Sequence, residues 1–277
     1  MSTTTTNALC KIASIQMVST PDLWENMETA HRLVNIAAED GAQVVVLPEY
    51  FCLMGLKDTD KVGAKEILGV GPIQKRLADI AKQNRIHLVA GTIPLEAPEP
   101  AKVLNSTLVY DTLGQQIARY DKIHLFGFQT ATERYEESET IAPGNEPGIL
   151  AIQLDGTEWR FGLSICYDLR FPELYRALGQ VDCHIIPAAF TYTTGKDHWE
   201  ILLRARAIEN QCYVLASAQG GAHVNQRRTW GHSVIIDPWG TILSELPIGE
   251  GFITSTLSKE KLNEVRSKLP ALTHRKL

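Results

Sequence analysis

The sequence predicts an α/β fold in which β-sheets pack on each other and helices cover the outside. Short apolar runs typical of strands alternate along the chain with longer segments that carry apolar residues on one helical face. Some neighbouring strand segments are joined by tight turns, which form antiparallel pairs, and others are joined through helices, which form crossovers. A doubly wound parallel sheet would be built from crossovers alone, so this mixture favours packed sheets.

The first half of the chain alternates strands and helices. The helix at 26–39 carries its apolar residues on one face and ends before Gly41. The strand that follows is apolar on both faces, as buried strands are, and the turn Leu113-Gly114 joins two further strands into a hairpin. In order, the predicted segments are the strand 12–18, the helix 26–39, the strand 44–47, the helix 73–83, and the strands 87–90, 105–110 and 115–120.

The second half continues the alternation. A strand pair leads to an elbow at Cys166, and a helix begins at Pro172, because proline and Glu173 both suit the first turn of a helix. The stretch Asp237-Pro-Trp-Gly240 predicts a tight turn. The remaining predicted segments are the strands 149–154, 159–165 and 184–187, the helix 196–210, and the strands 213–218, 231–236, 241–246 and 251–256.

Composition narrows the class of protein. The chain has 277 residues and a net charge of -5, with no basic stripe, which argues against a nucleic-acid partner. α/β folds of this length often form one domain, so we expect a single domain at 9–277. Residues 1–8 are polar, rich in Ser and Thr, and predicted to be a disordered tail.

The cysteines and apolar runs indicate the compartment. The five cysteines are scattered, without a Cys-x-x-Cys pair or histidines at zinc-ligand spacing, so we expect neither structural disulfides nor a metal. They are Cys10, Cys52, Cys166, Cys183 and Cys212. No secretory signal and no apolar run of membrane-spanning length is visible. We therefore expect a cytoplasmic protein without a membrane partner.

Cys166 is the first candidate catalytic residue. It lies between an apolar strand and the helix at Pro172, on a turn where a side chain is held rigidly and can face a cleft. Backbone N–H groups of such a turn are free to bind a developing oxyanion. The alternative is a buried cysteine that acts as a small apolar side chain.

Two further candidates lie at strand ends. Glu49 follows the buried strand at 44–47, where it serves either as a helix cap or as a site residue. Lys122 follows a hairpin strand, where lysines are usually solvated. Open sheets present functional groups at strand ends. Because Glu49, Lys122 and Cys166 all lie at strand ends, we expect the three side chains to form one site.

Three motifs carry a resemblance to a known family. They are Leu47-Pro-Glu-Tyr50, Asp121-Lys-Ile-His-Leu-Phe126 and Ser164-Ile-Cys-Tyr-Asp-Leu-Arg-Phe-Pro-Glu173. With these motifs in this order, the chain resembles the carbon–nitrogen hydrolases of the nitrilase superfamily from about residue 11 to residue 268. The resemblance implies an α-β-β-α sandwich, a homodimer or higher homo-oligomer, and a reaction that needs no cofactor and no metal.

The resemblance also implies catalytic roles. Glu49 would be the general base, Lys122 the oxyanion stabiliser and Cys166 the nucleophile, with the backbone N–H of Tyr167 as a second oxyanion donor. Cysteine is weakly ionised at neutral pH, so it needs a base, and burial raises the pKa of a carboxylate enough for that task. The cycle would pass through a thioester that water hydrolyses.

A second carboxylate is expected from Glu136-Glu-Ser-Glu139, because the family commonly carries one near a Glu-Ser motif. We place it on Glu137, positioning Lys122 or the substrate. The alternative is a solvated acidic loop, since 133–139 is rich in glutamate.

Residues around Cys166 indicate which branch of the nitrilase superfamily the chain resembles. True nitrilases tend to follow the nucleophile with Trp-Glu, whereas this chain has Tyr167-Asp168, which favours amides over nitriles. The segments 189–195, 198–210 and 231–240 look like the branch with deaminated-glutathione amidase and the ω-amidases. Arg170 is then a candidate carboxylate clamp, unless it pairs with a neighbouring acid. Phe190 and Thr194 would line the same pocket.

The sequence thus predicts a cysteine-dependent hydrolase of a small carboxylate-bearing amide, such as deaminated glutathione, that releases ammonia or an amine. Three alternatives stay open. The first is an ω-amidase that acts on 2-oxo-dicarboxylate monoamides, and the second is a hydrolase of nitriles or N-carbamoyl compounds. The third is a non-enzymatic interaction protein.

Overall fold

Two stacked β-sheets with helices on both outer faces form the framework of the computed structural model, which describes residues 8–131 and 133–276. This arrangement confirms the predicted α-β-β-α sandwich. Residues 1–7 of the predicted disordered tail lie outside the described residues. The carbonyl of Ala8 accepts a hydrogen bond from the Lys259 N–H at 3.1 Å.

Strands are numbered here in chain order. They are β1 (Leu9–Gln16), β2 (Val44–Val46), β3 (His87–Val89), β4 (Ile93–Glu96), β5 (Val103–Tyr110), β6 (Gln116–Asp121), β7 (Gly127–Gln129), β8 (Arg134–Glu136), β9 (Ile141–Ala142), β10 (Gly148–Leu154), β11 (Thr157–Leu163), β12 (Cys183–Ala188), β13 (Tyr213–Ala218), β14 (Ser233–Ile236), β15 (Ile242–Leu246) and β16 (Gly251–Ser258). The helices are α1 (Leu23–Glu39), α2 (Asp60–Gly63), α3 (Pro72–Asn84), α4 (Pro172–Ala177), α5 (Tyr192–Asn210) and α6 (Lys259–Lys268).

The two sheets mix parallel and antiparallel neighbours. In the first sheet the order is β16-β1-β2-β3-β5-β4, and β6 and β9 also pair with β5. Strands β1, β2 and β3 run parallel, whereas β16 and β6 are antiparallel to their partners. The second sheet has the order β10-β11-β12-β13-β14-β15, with β11, β12 and β13 parallel. Strands β7 and β8 form a separate hairpin.

The layers follow from the alternation of side chains along each strand. On β2, Val44 and Val46 pack into the core between the sheets, whereas Val45 packs under α1 and α3. Trp199 and Leu203 of α5 cover the outer face of the second sheet. Both faces of each central strand are therefore buried, which explains the continuous apolar runs in the sequence.

Helix ends differ from the prediction where a side chain caps the helix. Helix α5 begins four residues before the predicted position 196, because the Thr191 hydroxyl accepts a hydrogen bond from the Thr194 N–H. Helix α6 is absent from the prediction, since Leu262 and Val265 are its only buried residues and the rest is polar. Strand β4 was also missed, because Pro94 lies within it, as is typical of edge strands.

Two observations bear on compartment and covalent structure. All five cysteines are free and buried. Within residues 8–131 and 133–276, no helix combines the length and apolarity needed to cross a membrane.

Gly91 fixes the loop that follows β2. Its φ is +48°, and a Cβ atom at this position would lie 2.1 Å from the carbonyl oxygen of Pro48. No other residue type fits so close to a carbonyl in this left-handed conformation. The Pro48 peptide directly precedes Glu49, so Gly91 sets the path of the chain into the site.

Gly91→Ala is expected to lower the free energy of unfolding by roughly 2 kcal/mol or more, because strain and overpacking combine at this residue. Gly63→Ala is the matched control, since a Cβ atom there meets nothing within 4 Å and φ lies outside the left-handed region. Denaturant unfolding of both variants measures the difference. An equal stability of the two variants would contradict the steric role of Gly91.

Candidate active site

The structure brings Glu49, Lys122 and Cys166 together at one end of the sandwich. Glu49 follows β2, Lys122 follows β6 and Cys166 follows β11. The Lys122 Nζ atom lies 2.9 Å from Glu49 Oε1, and the Cys166 thiol donates a hydrogen bond to the Glu49 carboxylate. Side chains separated by more than a hundred residues therefore form one polar cluster inside the fold.

Cys166 occupies a strained turn. It begins a 3₁₀ turn over Cys166–Arg170 with a φ of 48°, in the left-handed region that non-glycine residues rarely adopt. Its exposed fraction is 7%, whereas those of the other four cysteines do not exceed 1%. The thiol is thus the most accessible of the five, and the N–H groups of the turn's first residues have no acceptor within the turn.

The carboxylate of Glu49 is held by three donors. Oε1 accepts hydrogen bonds from Lys122 Nζ and Asn105 Nδ2, each at 2.9 Å, and Oε2 accepts one from the Ala189 N–H at 2.8 Å. Burial raises the pKa of Glu49 above its ordinary 4.5, and the Glu137 charge adds to this although Lys122 opposes it. A rigid carboxylate with a raised pKa, hydrogen-bonded to a thiol, can serve as its base.

Glu137 holds Lys122 from the other side. The ammonium lies 2.9 Å from Glu137 Oε1 and 2.8 Å from Oε2. Burial would raise the pKa of Glu137, yet the Lys122 charge, its hydrogen bond, the Phe126 N–H and the Tyr50 hydroxyl together lower it. Only 14% of the Glu137 side chain is exposed, so this carboxylate does not belong to a solvated loop.

Lys122 remains an ammonium. Its side chain is fully buried, which would lower its pKa, but Glu137 and Glu49 outweigh that effect and the pKa rises well above 10.5. Burial and the Glu49 charge raise the pKa of the Cys166 thiol, so the resting sulfur is protonated. Transfer of its proton to Glu49 keeps the total charge of the buried cluster constant, which limits the cost of forming the thiolate.

A cleft of about 610 Å³, counted with its open mouth, leads to the thiol. Its walls are Glu49, Tyr50, Met54, Asp58, Lys61, Phe126, Tyr135, Glu136, Glu137, Cys166, Ala189, Thr191, Arg227, Arg228 and Thr229. A smaller annex beside Cys166 is lined by three of the predicted substrate-binding residues, Tyr167, Phe190 and Thr194. The structure therefore places those three next to the sulfur.

Arg170 is not among the residues that line the cleft or the annex. Its two terminal nitrogens lie 3.3 and 3.4 Å from His198 Nδ1, and its guanidinium lies over the rings of Phe190 and Tyr167. No ion pair joins Arg170 to Asp168 or Glu173 in the part of the chain that the structure describes. The side chain thus packs on two residues that line the annex and contacts His198 of α5.

Asp168 is the residue that the sequence analysis missed. Its fully buried carboxylate accepts hydrogen bonds from the Tyr120 hydroxyl at 2.7 Å and the Ile165 N–H at 2.9 Å. The other oxygen accepts from the His124 N–H at 3.0 Å and contacts His124 Nδ1 at 2.7 Å. Asp168 therefore ties the Cys166 turn to the segment that carries Lys122. The sequence signal for this role is that Asp168 lies three residues after Ile165, a spacing at which the carboxylate of a turn residue often accepts a hydrogen bond from a backbone N–H group.

Comparison with known proteins gives a consistent result. The family model described as "Carbon-nitrogen hydrolase" matches residues 11–267. A curated "Deaminated glutathione amidase" from Synechocystis sp. is 41% identical over 268 residues, 95% of this chain and 97% of that protein. The structure of the C. elegans NitFhit protein superposes with a TM-score of 0.86 at 34% identity, over 98% of this chain and 66% of that one. Saccharomyces cerevisiae Nit3, a member of branch 10 of the nitrilase superfamily, gives 0.85 at 30% identity and 97% of each chain.

Asp168→Asn is expected to lower the free energy of unfolding by about 3 kcal/mol, because the new amide would face two donors that lose their acceptor. Denaturant unfolding measures this loss. Asp197→Asn, at an exposed position on α5, is the control and should change stability little. A stability of Asp168→Asn equal to that of the control would show that the four contacts do not hold the turn.

Proposed function

The chain belongs to the carbon–nitrogen hydrolase family and is an amidase, and from this premise we propose that it hydrolyses a small carboxylate-bearing amide with Cys166 as nucleophile. The observation that carries the proposal is the buried cluster in which the thiol, the Glu49 carboxylate and the Lys122 ammonium meet at the base of one cleft. In this cluster Lys122 is an ammonium and the Cys166 thiol is protonated, so a neighbouring carboxylate base can start thiol-dependent acyl transfer.

The first half of the reaction forms a thioester. Glu49 takes the proton of the Cys166 thiol as the sulfur attacks the amide carbon. Negative charge then develops on the carbonyl oxygen, where the Lys122 ammonium and the Tyr167 N–H stabilise it. Glu49 gives its proton to the nitrogen, the C–N bond breaks, and ammonia or an amine leaves.

The second half returns the enzyme to its resting state. Glu49 takes a proton from water, and the hydroxide attacks the thioester carbon. The same two donors hold the oxyanion until the C–S bond breaks and the acid is released. Glu49 then passes its proton back to the sulfur. Glu137 acts through Lys122, because it keeps the ammonium charged and in place throughout the cycle.

The proposed substrate is deaminated glutathione or a close analogue. The Synechocystis relative, whose name gives that compound as its substrate, matches over almost the full length of both chains. Glutathione is a tripeptide with a carboxylate at each end, and its deamination leaves both carboxylates in place. The polar cleft and the annex with Phe190 and Thr194 both border Cys166.

We also propose that the chain works as one domain over 9–277, in the cytoplasm and as a homodimer or higher homo-oligomer. The free cysteines suit a reducing compartment. Large apolar side chains on and beside α5 are exposed, with Ile201 at 70% and Trp239 at 58%, as expected of a surface that a second copy covers.

Cys166→Ala is expected to abolish the release of amine from deaminated glutathione, since no other thiol reaches the cleft. Liquid chromatography of the reaction mixture measures the released amine. It also distinguishes this amine from ammonia, the product expected from a primary amide or a nitrile. Cys212→Ala is the control, because that thiol is buried at the end of α5, away from the cleft, and should leave turnover in place. Turnover by a correctly folded Cys166→Ala enzyme would remove the central assignment.

The rate should depend on pH through Glu49. The base must be ionised, and burial raises its pKa above 4.5, so kcat/KM should fall as pH decreases through that raised value. Lys122 keeps its proton to well above pH 10.5, so we expect a plateau from about pH 7 to pH 9. The assay uses a neutral amide as substrate, so that ionisation of the substrate does not contribute to the pH dependence of kcat/KM. A rate that stays constant down to pH 4.5 would exclude Glu49 as the base.

A further inference from the structure

We propose that Arg228, at the mouth of the cleft, binds a terminal carboxylate of the substrate. The inference deepens the proposed function and rests on it, because it requires that an amide be cleaved at Cys166. It assigns the carboxylate contact to a residue that follows β13 by ten positions, on a loop that the sequence motifs do not include.

The charges of the cleft leave one cation without an acidic partner. Lys122 is fully buried and pairs with Glu49 and Glu137. Arg227 and Lys61 both pair with Asp58. In the part of the chain that the structure describes, Arg228 has no ion pair, although its guanidinium lines the cleft and its side chain is exposed. An anion that enters the cleft therefore meets an unneutralised guanidinium.

Arg228 is held in position from two sides. Its guanidinium carbon lies 4.2 Å from the centre of the Tyr192 ring, at the first residue of α5. The Tyr192 N–H donates a hydrogen bond to the Arg228 carbonyl at 2.9 Å, and Ala222 pairs with Arg228 across the loop. A guanidinium that lies over an aromatic ring keeps the N–H groups at its edge free. These N–H groups can then donate two parallel hydrogen bonds to a carboxylate.

The loop around Arg228 is fixed to the opposite rim. Asn225 Nδ2 donates to the Gly55 carbonyl at 2.7 Å, and Arg227 reaches Asp58 on the same segment. The Thr229 hydroxyl contacts His223 Nε2 at 2.8 Å within the loop. Because these contacts join groups of the protein itself, the carboxylate site needs little ordering when substrate binds.

Arg227 and Arg170 fit this role less well. The Arg227 guanidinium is already used by Asp58 and lies over the Tyr135 ring, so a substrate carboxylate would compete with an existing pair. Arg170 does not line the cleft, and its guanidinium contacts His198 and lies over the Phe190 and Tyr167 rings. Substitution of Arg228 should therefore weaken recognition of the substrate carboxylate, whereas substitution of Arg170 should not.

The test compares Arg228→Gln with Arg170→Gln and with Arg160→Gln, a surface control whose guanidinium lies 4.0 Å from Glu158. Each enzyme is assayed with deaminated glutathione and with its dimethyl ester. For Arg228→Gln, the ratio of kcat/KM for the acid to that for the ester should fall about tenfold, the effect of one charge-assisted hydrogen bond near solvent. Arg228→Lys, which keeps the charge without the fork, should recover part of the ratio.

The wild-type ratio should also decrease as salt is added, and Arg228→Gln should lose most of that dependence. An unchanged ratio in Arg228→Gln, or a tenfold fall in Arg170→Gln alone, would overturn the proposal.

A second measurement separates this proposal from the proposed function. If the wild-type enzyme hydrolyses neither compound, the proposed function fails, and calorimetric binding of glutarate to wild type and Arg228→Gln still decides the carboxylate site. About tenfold weaker binding by the variant supports the site. Equal affinities refute it.

Discussion

The ammonium of Lys122 between two buried carboxylates is the interaction on which the rest of the site depends. A lone ammonium with a fully buried side chain would cost several kcal/mol to bury and would tend to lose its proton. Glu137, which accepts two further hydrogen bonds, stays ionised and compensates the cation. Glu49 shares the same cation and is left with a raised pKa. One ion cluster therefore supplies both a permanent positive charge and a base.

The sandwich makes this cluster possible because strand ends from both sheets meet there. The first sheet delivers Glu49, and the second delivers Ala189 directly after β12, whose N–H donates to Glu49. Gln219, which follows β13, donates to the Glu49 carbonyl at 3.1 Å. Asp168 joins the cysteine turn to the lysine segment. The catalytic distances are thus set by rigid β-structure, whereas the cleft mouth is formed by loops.

This division explains what the sequence could predict. Glu49, Lys122 and Cys166 could be found because each follows a strand that its own apolar pattern reveals, and the family motifs mark them. Asp168 offered only the local signal of a turn carboxylate, because the rest of its role depends on contacts to a segment 44 residues away. Arg170 is a predicted carboxylate clamp because of the branch resemblance and the chemistry of its guanidinium. The structure places that side chain beside His198 of α5 and over the rings of Phe190 and Tyr167, a direction that the sequence alone does not contain.

Local strain also marks the site. Most non-glycine residues with positive φ lie in ordinary places, such as Arg85 and Gln211 at helix ends. Tyr50 and Cys166 lie at the site, and for each of them this conformation costs of order 1–3 kcal/mol. Tyr50 uses it to reach Glu137 from the residue next to Glu49. Glycine would relieve the strain at either position, but it would remove the hydroxyl or the sulfur. The surrounding hydrogen bonds hold both turns in place, so chemistry rather than backbone preference explains these two residues.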